Sequence, residues 1–213
     1  MTRCGKADNG HNGNMVKTLF LPGASGCAAF WRPVAREAEL DGVFLAWPGL
    51  GAQPARGDIR SLDDLTRLAA SHVTEPVNIV AQSMGGMVAI RLALMFPDLV
   101  KRLVLAVTSG GVPVTDLGGS DWRGDYFAAF PNAAVWIADP VPDLSDAMRS
   151  IKAPTLLLWG DADPISPVAV GERLASLFPN ARLHIFAGAD HDLAQTHPEV
   201  VAREVRERLK AGE

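Results

Sequence analysis

Apolar residues along this chain come in short unbroken runs, and each run ends at a turn signal. Lys17–Pro22 (KTLFLP) stops at Gly23, Val43–Trp47 (VFLAW) at Pro48-Gly49, and Val77–Gln82 (VNIVAQ) at Ser83. Leu103–Thr108 (LVLAVT) stops at Ser109-Gly110-Gly111, Thr155–Trp159 (TLLLW) at Gly160, and Arg182–Phe186 (RLHIF) at Ala187-Gly188. Runs of this length without polar alternation predict strands buried on both faces. Between them the period lengthens to that of a helix, over Ala28–Leu40, Leu62–Val73, Met84–Phe96, Val168–Phe178 and Glu199–Leu209. The third of these is apolar nearly all round, which predicts a centrally buried helix, and Pro97 stops it. Strand–helix alternation with short links implies right-handed crossovers and a parallel sheet covered on both faces. The expected architecture is α/β, a three-layer α/β/α sandwich with a mainly parallel sheet of about six strands.

One stretch breaks the rhythm. Between Val112 and Ile151 no run reads as a buried strand, but Trp122, Tyr126, Phe127, Phe130 and Trp136 cluster there with Pro113, Pro131, Pro140 and Pro142. A segment of this length between two sheet elements is either a lid over a site or a set of short helices completing the core. Residues 1–15 are polar and glycine-rich and read as a disordered tail. The remainder, 16–213, reads as one domain in which 112–151 is a short excursion.

Composition narrows the class. The 213 residues are 48% hydrophobic and 21% charged, which excludes a disordered chain and allows a sizeable core. With 20 basic and 24 acidic residues the formal net charge is −4. That is not the basic footprint of a nucleic-acid binder, and no polybasic membrane patch is present. Two cysteines, Cys4 and Cys27, make neither a disulfide scaffold nor a four-cysteine or cysteine/histidine zinc site. The first residues hold no apolar stretch of signal-peptide length and no segment approaches the length of a membrane helix, so a soluble cytoplasmic protein is expected.

Ligands of a parallel open sheet bind outside the carboxyl ends of its strands. Gly23-Ala24-Ser25-Gly26 follows the first run, Ser83-Met84-Gly85-Gly86 the third, Gly160-Asp161-Ala162-Asp163-Pro164 the fifth, and Gly188-Ala189-Asp190-His191-Asp192 the sixth. A serine, an acid and a histidine therefore arrive at one rim from three strands. A serine hydroxyl is a weak nucleophile and needs an adjacent base. His191 can take its proton, and a buried carboxylate would fix the imidazole tautomer. The oxyanion formed on attack needs preorganised N–H donors, for which the backbone amides of Met84 and Ala24 are the obvious pair.

This constellation resembles the α/β-hydrolase family. Ala81-Gln82-Ser83-Met84-Gly85 is similar to its G-x-S-x-G elbow, and the order Ser83, Asp163, His191 matches its nucleophile–acid–base order. Leu157-Leu158-Trp159-Gly160-Asp161-Ala162-Asp163 looks like its strand-plus-acid segment, a pattern that selects Asp163 over Asp161 as the acid. The resemblance spans roughly residues 17–210. Three departures stand out: Ala81 replaces the first elbow glycine, Pro22-Gly23 replaces the usual histidine–glycine of the oxyanion loop, and the family's two leading strands have no counterpart. The resemblance implies a compact serine hydrolase with a Ser83–His191–Asp163 triad and an acyl-enzyme, acting on an ester or related acyl compound without metal or cofactor. The same fold also hosts lyases and C–C bond hydrolases, and a small-molecule-binding protein that has lost its chemistry is a further alternative. Trp122, Phe127 and Trp136 suggest a pocket wall for an apolar or aromatic substrate. A short excursion leaves the triad open to solvent.

Plainer roles compete for several residues. Ser83 could simply open a helix. His197 reads as a surface or capping residue, and His72 and His184 as helix and strand residues without a matching partner. Asp161 could orient the acid loop, Asp190 and Asp192 could be solvated or bond the loop, and Cys27 reads as a small buried hydrophobe. Gly23-Ala24-Ser25-Gly26 lacks the spacing of a phosphate cradle. Oligomeric state leaves no mark in the sequence.

Overall fold

The computed structural model describes residues 16–210. Each apolar run becomes a strand: β1 (Lys17–Leu21), β2 (Gly42–Phe44), β3 (Val77–Gln82), β4 (Val100–Ala106), β5 (Thr155–Gly160) and β6 (Ala181–Phe186). They form a single 6-stranded sheet in the order β2-β1-β3-β4-β5-β6, and every neighbouring pair is parallel. β3 and β5 are buried along their whole length. At the edges the expectation of burial on both faces fails: β2 is half-buried throughout, and β6 exposes Ile185 by 44%. An edge strand has one neighbour instead of two, so the helical layers cover less of it.

The helices are α1 (Arg32–Ala38), α2 (Leu62–Ala70), α3 (Met84–Met95), α4 (Arg123–Ala129), α5 (Ser145–Met148), α6 (Val168–Leu177), α7 (Leu193–Thr196) and α8 (Pro198–Lys210). α1 packs along α8 against one face of the sheet, and α2, α3 and α6 cover the other. α1 starts later than its periodicity predicts. Ala28–Trp31 fold as turns, and Pro33, whose ring fixes φ, lies in the first helical turn. α7 has no sequence signal longer than one turn. Residues 112–151 contain no strand; α4, α5 and two 3-10 turns fill them. Tyr126, Ala133, Ile137 and Met148 from this excursion are buried, so it completes the core.

Three tryptophans have almost no exposed surface, and each indole N–H finds a carbonyl, as a buried donor must. Trp31 Nε1 donates to Leu21 O at 2.9 Å and Trp47 Nε1 to Pro22 O at 2.7 Å, bracing the carboxyl end of β1. Trp159 Nε1 donates to Ser166 O at 2.8 Å and ties down the loop after β5. His184 has a partner that its sequence context did not reveal: its Nδ1 lies 3.1 Å from Oε2 of Glu204 on α8. The pair is distant in sequence and meets only because α8 packs on the sheet beside β6. Cys27 is half-buried rather than buried. Among the described residues no helix is long and apolar enough to cross a membrane.

Candidate active site

Strand order reverses between β1 and β3: the chain moves outward to β2 on one side and to β4, β5 and β6 on the other. Such a switch point opens a crevice at the carboxyl ends of the strands. The turn after β1 and the turn after β3 meet there.

Ser83 sits on the second of these turns with φ 51° and ψ −122°. A side-chain-bearing residue with positive φ is strained, on the order of 1–3 kcal/mol, and such strain gathers at functional sites. The hydroxyl makes no capping bond to α3, which removes the helix-opening role as an account of this serine. The turn is possible because its neighbours are small. A Cβ on Gly85 would meet Pro22 O at 2.4 Å, and one on Gly86 would meet Thr108 Oγ1 at 2.5 Å. Ala81, where the family pattern has glycine, is fully buried between Leu21 and Leu105 of the flanking strands. Ser83 N donates to Ala106 O at 2.9 Å. One residue further along that strand end, Val107 also has positive φ, at 44°, so a second strained residue borders the elbow.

Gly85→Ala should therefore cost stability, since the new methyl meets backbone that cannot turn aside. A loss of about 1–3 kcal/mol is expected. Thermal unfolding should fall by roughly 2–4 °C for each kcal/mol, and an unchanged midpoint would refute the packing argument.

His191 and Asp163 complete a chain of side chains. His191 Nε2 lies 3.0 Å from Ser83 Oγ, and His191 Nδ1 lies 2.7 Å from Asp163 Oδ2. The other carboxylate oxygen, Asp163 Oδ1, accepts from Ile165 N at 2.8 Å and Ser166 N at 3.0 Å. The Asp163 side chain is 0% exposed and that of His191 is 19% exposed. The acid is thus fixed in the interior while the imidazole edge can be reached from solvent. Asp161 takes another role: its Oδ1 accepts from Gly188 N at 2.6 Å, joining the loops after β5 and β6. Asp190 Oδ1 accepts from Asp192 N at 3.0 Å within its own loop. His197 caps α7, its Nδ1 2.8 Å from Thr196 Oγ1, and its carbonyl opens α8. His72 lies in the turn after α2, where its carbonyl accepts from Lys17 Nζ at 3.3 Å.

The turn after β1 lies against the elbow. A Cβ on Gly23 would meet Gln82 Oε1 at 2.0 Å and Ser83 Cβ at 3.2 Å, so glycine alone lets the two turns touch. Gly26 N donates to Gly23 O at 3.0 Å, which closes the turn that carries Ala24. Met84 is the first residue of α3, where amides lack helical partners and the helix dipole favours negative charge. Gln82 was not singled out by the sequence pattern, yet its Nε2 donates to His191 O at 3.3 Å and ties the histidine loop to β3. Tyr126 was visible only as one aromatic among several.

The aromatics of the excursion divide. Trp122, Phe127 and Phe130 pack around Tyr126, with ring centroids 5.6, 5.3 and 5.3 Å away. Trp136 instead lines a cavity of about 210 Å³ with Met84 and Met87 of α3, Ser61 and Leu62 at the start of α2, and Ile137. Arg91 and Asp63, paired with each other, also line the cavity, and none of the three catalytic candidates does. Among the described residues no group of three or more histidine, cysteine or acidic side chains could hold a metal ion.

Comparison with known proteins agrees with this architecture. Residues 18–140 match the model of the "Alpha/beta hydrolase family", and residues 109–198 match a second model, "alpha/beta hydrolase fold". A 2-hydroxy-6-oxononadienedioate/2-hydroxy-6-oxononatrienedioate hydrolase of Burkholderia vietnamiensis is 27% identical, over 89% of this chain and 84% of that protein. The pimeloyl-[acyl-carrier protein] methyl ester esterase of Chromobacterium violaceum is 26% identical, over 76% of this chain and 81% of the esterase. Among solved structures, a thermophilic esterase from Thermogutta terrifontis superposes with a TM-score of 0.74 at 22% identity, covering 93% of this chain and 90% of the esterase. A parallel sheet with its elbow at the switch point, and a family match over more than half the sequence, lead to one assignment: the chain belongs to the alpha/beta hydrolase family.

Proposed function

We propose that this protein is a serine hydrolase that cleaves a carboxylic ester, or a related acyl compound, by acyl transfer to water. The observation that carries the reading is the hydrogen-bonded series Ser83 Oγ, His191 Nε2, His191 Nδ1 and Asp163 Oδ2, with contacts of 3.0 and 2.7 Å. In the first half-reaction Ser83 Oγ attacks the carbonyl carbon as His191 Nε2 takes its proton. Asp163 stabilises the imidazolium that forms. The amides of Met84 and Ala24 donate to the oxyanion. Collapse of the tetrahedral intermediate breaks the bond to the leaving alcohol, which receives the proton from His191. Water, deprotonated by the same histidine, then attacks the acyl-enzyme and releases the acid.

The test is a fluorophosphonate probe together with a short p-nitrophenyl ester. Phosphonylation should fall on Ser83, located by peptide mass spectrometry, and should extinguish ester turnover. Folded protein whose Ser83 stays unlabelled would overturn the reading and leave a binding protein.

A second reading has support from relatives named as 2-hydroxy-6-oxononadienedioate hydrolases. Such a substrate has no ester to cleave, so the bond hydrolysed is carbon–carbon. A higher kcat/KM on that dienedioate than on any ester of a panel would replace the ester reading.

The substrate is expected to be small and apolar or aromatic in its acyl or alcohol part, with Trp136 of the cavity beside Met84 and Trp122 and Phe127 of the cluster around Tyr126 as candidate contacts. Trp122→Ala and Trp136→Ala should each shift the preferred chain length of p-nitrophenyl esters. An unchanged profile in both variants would remove these residues from the pocket.

A further inference from the structure

Ala24 must present its N–H in one direction if it is to serve as an oxyanion donor. It follows a glycine, and glycine backbone passes between positive and negative φ with little penalty. The peptide could therefore flip unless something holds it. Its own carbonyl, Gly23 O, accepts from Gly26 N at 3.0 Å. In a trans peptide the N–H then points the opposite way, away from Gly26 N. The next peptide is held from a distance: Tyr126 Oη donates to Ala24 O at 2.9 Å and accepts from Gly51 N at 2.9 Å. The acceptance from Gly51 leaves the phenolic proton free to point at Ala24 O. Gly51 has φ 55°, and a Cβ there would meet Ser25 O at 2.1 Å, so the 49–51 loop lies directly on the same turn. Tyr126 is itself buried within Trp122, Phe127 and Phe130. Burial raises its pKa above the ordinary tyrosine value, which keeps the hydroxyl a donor.

We infer that Tyr126 is a positioning residue for the reaction, holding the Ala24 carbonyl, on the peptide next to the donor, through its hydroxyl so that the excursion and the oxyanion turn move as one piece. This rests on the serine-hydrolase reading above. It makes α4 part of the catalytic support and not merely a cover. It also means that a substrate that shifts the excursion alters the oxyanion donor.

The experiment compares wild type, Tyr126→Phe and Phe130→Leu. Each is assayed for kcat and KM on a short p-nitrophenyl ester, for inhibition by phenylboronic acid, whose serine adduct is tetrahedral, and for fluorophosphonate labelling. Phenylalanine keeps the ring packing and removes only the hydroxyl. Tyr126→Phe should lower kcat about tenfold and weaken the boronate by a similar factor, with KM changed less than about twofold, because the lost interaction acts in the tetrahedral state. Phe130→Leu loosens the same aromatic cluster and should leave both constants within about twofold of wild type. Equal losses in the two variants would assign the effect to packing and overturn the inference. An unchanged kcat in Tyr126→Phe would do the same while wild type still reacts and labels. Wild type that neither labels nor turns over would instead refute the serine-hydrolase reading, and this inference with it.

Discussion

Ser83→Ala is expected to remove ester turnover almost completely, with kcat reduced by about 10⁶-fold as for nucleophile loss in other triads. The fold should not follow. The Ser83 side chain caps no helix, and its hydrogen-bond partner, His191, is partly exposed and can turn to water. Alanine inherits the same backbone strain, since its Cβ meets the same obstruction at φ 51°. Ser83→Gly relieves it. Glycine should therefore be the more stable of the two inactive variants, by about 1 kcal/mol once its greater unfolded-state entropy is set against the strain removed. Paired urea titrations measure that difference. Retained turnover in Ser83→Ala would end the nucleophile assignment. A glycine variant no more stable than the alanine variant would show that the strain stored at the elbow does not exceed the entropy cost of glycine. Such a result would bear on the backbone alone, so the two outcomes separate the chemistry of this position from its geometry.

Some of this arrangement was legible in the sequence and some was not, for physical reasons. The strands were legible because burial on both faces leaves an unbroken apolar run, as in Val77–Gln82 and Thr155–Gly160. Ser83, Asp163 and His191 stand out because each follows such a run, and parallel strands bring their carboxyl ends to one rim. Edge strands and helix starts were less legible. β6 exposes part of one face, and α1 begins where Pro33 permits, not where apolar spacing begins. The supporting contacts left no local pattern at all. Gln82 reaches His191 across 109 positions and Tyr126 reaches Ala24 across 102. Glu204 meets His184 only because α8 packs on the sheet. A glutamine at the end of a strand and a tyrosine among other aromatics look the same whether they tie a loop or merely fill space.

Asp163→Asn is expected to lower kcat by about 10⁴-fold while changing stability little, and the two amides on Asp163 Oδ1 explain why. Ile165 N–H and Ser166 N–H both point at that oxygen, so asparagine must place its carbonyl there. Its NH₂ then occupies the position of Oδ2, 2.7 Å from His191 Nδ1. An NH₂ group can only donate, so Nδ1 must accept, and the ring proton moves to Nε2. That proton faces Ser83 Oγ, and an imidazole already protonated at Nε2 cannot take a second proton from the serine there. The substitution thus reverses the tautomer without moving a heavy atom. Because asparagine is nearly isosteric and relieves the burial of a charge, the unfolding midpoint should stay close to wild type. Asp161→Asn is the matching control. Its carboxylate holds Gly188 N and makes no contact with the imidazole, so asparagine can keep that bond through its own carbonyl. Activity should fall no more than severalfold. Steady-state kinetics on one ester decide between the two acids: a larger loss in Asp161→Asn than in Asp163→Asn would mean that the acid has been assigned to the wrong residue of the loop.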